Sequence, residues 1–170
     1  MTAITVRPAN SKDIDGIVKA HIAGWQSTYE DYIDSAILKR MTFAKLRPFR
    51  EKILEKGTQQ CFVAMAQDKV VGFIDVGPAR DLKHLAPGEL YAIYILVSYQ
   101  RQNIGKTLMD AGKDWFKNHN YSSFYTLALE ENAKAQKFYE SQGGIRSEVT
   151  LNPKIGRKVH TELCYLWKDF

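Results

Sequence analysis

The chain has 170 residues, 45% of them apolar and 25% charged. That suits one globular domain, 1–170, with a full hydrophobic core, and excludes a disordered or fibrous chain. The net charge of +5 comes with no base-stacking aromatics along a basic face and no reader motif, so nucleic acid is not an expected partner. No run approaches the roughly 18 consecutive apolar residues of a membrane span, which excludes a transmembrane helix.

Met1 to Val6 lacks a charged segment and a continuous apolar one, so no signal peptide and a cytoplasmic location are expected. Ile4 to Arg7 reads as a short strand closed by Pro8. Asn10 or Ser11 then caps a helix with Ile14, Ile17, Val18, Ile22 and Trp25 at helical spacing. A second helical region runs from about Asp34 to Lys56, with breaks expected near Thr42 and Pro48, and ends at Gly57. It carries Lys39, Arg40, Lys45, Arg47, Arg50, Lys52 and Lys56 against only Glu51 and Glu55, a run that reads as a solvated helix face. Cys61 to Ala66 and Val70 to Val76 form a hairpin around Gln67-Asp68. Arg80 to Gly88 is a polar loop, and Glu89 to Val97 is the central strand. A helix follows from Ile104 to Asn118, a strand from Phe124 to Leu129, and a helix begins at Asn132. Two strands, about Ile145 to Leu151 and Val159 to Trp167, close the chain. Cys61 and Cys164 fall in alternating apolar strands and read as buried reduced thiols. With no CxxC pair and no His/Cys cluster at ligand spacing, no metal is expected.

Between the central strand and its helix lies Tyr99-Gln100-Arg101-Gln102-Asn103-Ile104-Gly105-Lys106. A strand turning through a polar loop into a helix start leaves several backbone N–H groups without intrachain partners. Those donors and the positive end of the helix dipole make a site for a diphosphate. The spacing is neither GxxxxGK[ST] nor GxGxxG, so neither a nucleoside-triphosphate cradle nor a dinucleotide fingerprint is present. Gly105 is expected to keep the loop clear for the phosphates. Downstream, Asn132-Ala133-Lys134-Ala135-Gln136-Lys137-Phe138-Tyr139 leads to Gly143-Gly144. Asn132 is a good N-cap, Ala135 and Phe138 give an apolar stripe, and Gly143 supplies a left-handed stop. Asn132 and Tyr139 lie two turns apart on one face.

Together these two stretches resemble motifs A and B of the GNAT superfamily, the acyl-CoA-dependent N-acyltransferases, in its small bacterial single-domain form. Asn103 stands where that pattern usually has glycine, and asparagine is the best non-glycine occupant of a left-handed position. Val97 stands where proline is common. The resemblance implies an α/β fold with a mixed central sheet of about seven strands flanked by about four helices. In it, the central strand and the strand before the last helix diverge after a bulge. It further implies acetyl-CoA as cosubstrate. The backbone of Ile93, Tyr94 and Ile95 would hold the pantetheine arm, and Gln100, Arg101, Gln102, Asn103, Ile104, Gly105 and Lys106, with Asn132, the rest of the cofactor. Homodimers are common among relatives, and the aromatic closing strand Cys164 to Trp167 allows one.

Acyl transfer from a thioester to an amine needs a proton acceptor, an oxyanion donor and a leaving thiolate. An alkylamine with a pKa near 10 is mostly protonated at pH 7, so a general base is useful. Glu89 is the candidate, by a spacing to Gln100 that resembles the glutamate base of the histone-modifying branch. Its alternative reading is a strand-edge surface carboxylate. Strand alternation would put Glu89, Tyr91, Ile93 and Ile95 on one face. A main-chain N–H near Ile95 would meet the oxyanion, and Tyr139 would hydrogen-bond or protonate the departing sulfur. Trp25, Tyr29 and Tyr32 recur at helical steps and are candidates to wall the acceptor pocket, with core packing the competing reading for Trp25. The expected function is acetyl transfer to a primary amine of a small molecule or peptide. A non-catalytic acyl-CoA-binding sensor is the alternative.

Overall fold

The computed structural model describes residues 3–170. Met1 and Thr2, the start of the segment read for a signal peptide, lie outside them. The elements run β1 (Ile4–Pro8), α1 (Ile14–Tyr29), α2 (Ser35–Leu38), α3 (Phe43–Lys56), β2 (Gln60–Ala66), β3 (Lys69–Pro78), β4 (Gly88–Ile95), α4 (Ile104–Asn118), β5 (Phe124–Leu129), α5 (Ala133–Ser141), β6 (Ile145–Leu151), β7 (Lys154–Ile155), β8 (Lys158–Val159) and β9 (Glu162–Trp167). Seven strands form one mixed sheet in the order β1-β2-β3-β4-β5-β9-β6, while β7 and β8 make a separate hairpin.

Local chemistry explains most boundaries. Asn10 and Asp13 form a capping box ahead of α1, and Arg7 clamps Asp13 at 2.7 Å. The second helical region does break before Thr42, between α2 and α3, but Pro48 does not break α3. Pro48 removes one helical donor. Pro48 and Ala44, the residue whose carbonyl it would have served, are both exposed, where water can take the place of the missing bond. Gly143 follows α5 at φ +88°, a left-handed turn that favours glycine. The expected closing strand starts later, at Glu162, because the β7–β8 turn takes up Val159.

The core lies on both faces of the sheet. On one side α4 and α5 cover Ile74, Val76, Leu90, Phe124, Tyr165 and Trp167. On the other, α1 covers Cys61, Val63, Val70 and Phe73. Both cysteines are buried and unpaired. β9 is an interior strand between β5 and β6, so Cys164 to Trp167 cannot offer an edge to a second copy. The free edges belong to β1 and β6.

Two features of the sheet position the site. β4 and β5 run parallel but pair only at Gly88–Phe124 and Glu89–Tyr125, after which a hydroxyl bridge from Thr126 Oγ1 to the Leu90 carbonyl (2.9 Å) is the last link. From Tyr91 onward β4 is bonded to β3 alone, and the two strands splay. Secondly, the β3–β4 register slips between Asp75–Ala92 and Val76–Leu90, leaving Tyr91 as an extra residue. This bulge reverses the expected alternation. Glu89 shares a face with Ala92 and Tyr94, while Ile93 and Ile95 turn to the opposite core.

Candidate active site

The loop after β4 holds the first half of the site. Arg101 (φ 59°) and Asn103 (φ 61°) are both left-handed, so the chain coils tightly before α4. Asn103 occupies the N-cap without using its side chain, which leaves the first-turn amides of Ile104, Gly105 and Lys106 without a protein cap. Gln100 Nε2 donates to the Ile95 carbonyl at 3.1 Å, tying the loop to the end of β4. Gln100, Arg101, Gln102, Asn103 and Lys106 are exposed, whereas Ile104 and Gly105 are buried. Gly105 is also closely packed on its protein side. A Cβ there would meet Phe138 Cε2 at 3.0 Å and Ile95 Cδ1 at 3.3 Å, so glycine permits α4 to lie close against α5 and β4.

Asn132 caps α5, its Oδ1 accepting from Ala135 N at 3.1 Å. The helix then delivers Tyr139 to the splay point. Its ring packs against Tyr165 and Trp167 at centroid distances of 5.9 and 6.0 Å. Its hydroxyl lies near Thr126, whose own hydroxyl donates to the Leu90 carbonyl. Burial pushes the phenol far up, beyond the effects of Tyr29 and Thr126. The group is therefore a neutral donor at any physiological pH.

Beyond the bulge opens a cavity of about 300 Å³. Glu89 lies in its wall, 2% exposed, so it is not the surface carboxylate of the alternative reading. Arg80 donates to it from its guanidinium at 2.7 Å and from its main-chain N–H at 2.9 Å. The Tyr125 hydroxyl adds a donor at 2.9 Å. Arg80 also lies over the Tyr91 ring, 4.1 Å from its centroid.

The cavity floor is a second buried ion pair that sequence reasoning missed. Arg50 meets Asp75 at 2.5 Å and His21 Nδ1 at 2.9 Å, and lies 4.6 Å over the Phe73 ring. Arg50 Nε and Asp75 Oδ1 are buried without partners. Burial, reinforced by the Arg50 charge, pulls His21 down to about 3, so the imidazole stays neutral and stacks on Tyr94 at 5.2 Å. Arg50 had been read as part of a solvated basic face. The clue was Asp75, a lone carboxylate in the apolar run Val70 to Val76, which demands a buried counter-ion.

The aromatic candidates divide. Trp25 and Tyr29 line the cavity, with rings 4.5 Å apart, and Tyr29 lies near Tyr94. Tyr32 does not line it. It packs in a satellite cluster with Ile33, Leu38 and Leu129, because α1 ends at Tyr29 and a turn rotates the next residues away. Glu162 and Leu127 complete the far wall. Among the described residues, no group of three or more His, Cys, Asp or Glu is placed to hold a metal ion. Among the same residues, no helix is long and apolar enough to cross a membrane.

Known proteins bear on this geometry. The family model described as Acetyltransferase (GNAT) family matches residues 25–144. The N-acetyltransferase YuaI of Bacillus subtilis, itself uncharacterised, is 34% identical over 130 residues, spanning 76% of this chain and 73% of its own length. Among solved structures, the PaiA N-acetyltransferase of Thermoplasma acidophilum, in complex with coenzyme A, superposes with a TM-score of 0.73 at 18% identity, covering 94% of this chain and 98% of its own. An N-acetyltransferase from Staphylococcus aureus Mu50 gives 0.76 at 14% identity over 98% of both chains. By its sequence match the chain belongs to the acetyltransferase (GNAT) family of acyltransferases.

Proposed function

We propose that the protein moves an acetyl group from acetyl-CoA to a primary amine of a small molecule or peptide, by direct attack and without an acyl-enzyme. The observation that carries this reading is the unpaired edge of β4 beyond Glu89, running into a helix start whose cap leaves its amides free. An unpaired strand edge inside a sheet is costly unless a ligand completes it. In this reading the pantetheine arm lies along Ile93, Tyr94 and Ile95, and the diphosphate takes the amides from Gln100 to Lys106. Asn132 steadies the α5 end of the same cleft.

The amine enters beside Trp25 and Tyr29 and attacks the thioester carbonyl. A β4 main-chain amide meets the oxyanion. As the carbon–sulfur bond breaks, Tyr139 hydrogen-bonds or protonates the departing sulfur. Glu89 takes the proton of the attacking amine, directly or through water. Cys61 and Cys164 are buried, and burial raises both thiols, which agrees with a mechanism that spares them and with a reducing, cytoplasmic setting.

Thiol release from acetyl-CoA across a panel of amines and peptides tests the reading. We expect turnover with at least one amine, and a Glu89→Gln variant with a flattened acidic limb in its pH–rate profile. Tight acetyl-CoA binding without turnover on any acceptor would favour the sensor. An unaltered profile in the variant would remove Glu89 as base.

A further inference from the structure

The cavity beyond the bulge holds three carboxylates, and their partners differ. Asp75 is neutralised by Arg50 at 2.5 Å, and Glu89 by Arg80 at 2.7 Å. Glu162, the first residue of β9, lines the same space. It is only partly exposed, and among the described residues it has no salt bridge or hydrogen bond to its carboxylate. The two ion pairs cancel, so one negative charge is left over in the cavity. A charge held away from water without a partner is costly, and an incoming cation would relieve that cost. A second, separate vacancy lies on the floor, where Asp75 Oδ1 is buried with no donor. The walls include Trp25, Tyr29, Tyr91 and Tyr94, aromatic surface suited to the apolar body of an amine. Arg50 rests on Asp75 and Arg80 on Glu89, so an acceptor bearing its own carboxylate would have to compete with a protein carboxylate for either arginine.

We propose that Glu162 is the specificity-determining residue of the acceptor site, docking the ammonium of a compact amine that carries no carboxylate beside it. This rests on the acetyltransferase reading above. At roughly 30 Å³ per water, the cavity has room for about ten non-hydrogen atoms, the size of a short alkyl or arylalkyl amine.

Glu162 faces Asp81 and Arg80 from the loop after β3, Glu89 from β4 and Tyr29 from α1. Burial, then the like charges of Asp81 and Glu89, raise it above the usual carboxylate range against the opposing pull of Arg80. The anchor is charged above that raised value and lost as pH falls through it. KM for the amine therefore rises on the acid side, earlier than an ordinary surface glutamate would produce.

The test is steady-state thiol release with 2-phenylethylamine, butylamine and their carboxylated counterparts, phenylalanine and 2-aminopentanoate. We expect the wild type to favour each amine over its amino acid. Glu162→Gln raises KM for the amines by about tenfold with a smaller change in kcat, as expected for lost binding of a charged partner. It also flattens the acid rise in KM, and Glu162→Asp restores part of both. A wild type that prefers the amino acids, or a folded, active Glu162→Gln with unchanged KM, overturns the assignment and leaves acetyl transfer standing. A wild type inactive on every acceptor overturns acetyl transfer itself, and this assignment with it.

Discussion

Tyr139→Phe lowers kcat by about 10²-fold while leaving acetyl-CoA affinity within about twofold of wild type, if the phenol serves the departing sulfur. The reasoning starts from where the hydroxyl sits. Tyr139 is held by α5 at the point where β4 and β5 part, near Thr126, whose own hydroxyl spans to Leu90. Its ring is fixed between Tyr165 and Trp167, so removing one oxygen preserves the packing. Burial keeps the group protonated, which is the form a leaving thiolate needs nearby. Phenylalanine retains the shape and loses only the donor. Thiol-release kinetics paired with calorimetric affinity read the two quantities separately. Unchanged kcat would strip Tyr139 of that role, and a matching fall in affinity would make it a binding residue instead.

Arg50→Met destabilises the fold by about 3–5 kcal/mol, because it leaves Asp75 buried and uncompensated. Asp75 is 3% exposed and its Oδ1 already lacks a donor, so the loss of Arg50 removes its only charged partner. His21 loses its partner at 2.9 Å in the same step, and Phe73 loses the guanidinium stacked on its face. Replacing both charges together, Arg50→Met with Asp75→Leu, recovers most of that stability, since an apolar pair of similar volume avoids the desolvation cost altogether. Urea unfolding of the two variants measures the difference. Equal losses in the single and double variants would mean that the pair is not coupled through charge.

The two local motifs were legible because their physics is local. A left-handed Asn103 before α4, a capping Asn132 and a stop at Gly143 each depend on neighbours within a few residues. Element order followed from periodicity in the same way, and the family resemblance supplied the sheet. What escaped depends on distant partners. Arg50 belongs to a basic run, and only Asp75, 25 positions away, reveals that it turns inward. The resemblance implies a bulge in the central strand, but nothing local fixes it at Tyr91, where it moves Glu89 onto the face of Ala92 and Tyr94. Glu162 carries no local signal within the closing strand. It becomes notable only when β9 is found inside the sheet, with its first residue at the cavity. Gly105 is legible as a position that must stay small, but its closeness to Phe138 across α4 and α5 is not.

Calorimetric titration of the purified protein with acetyl-CoA, and in parallel with acetyl-pantetheine, is the most direct measurement of the central claim. The amides at the start of α4 and the open edge of β4 predict saturable binding of acetyl-CoA at one site per chain, and much weaker binding of the analogue that lacks the diphosphate. Equal affinity for the two would contradict the phosphate site at Gln100 to Lys106. No heat with either ligand, supported by no shift in thermal midpoint, would contradict the cofactor cleft as a whole.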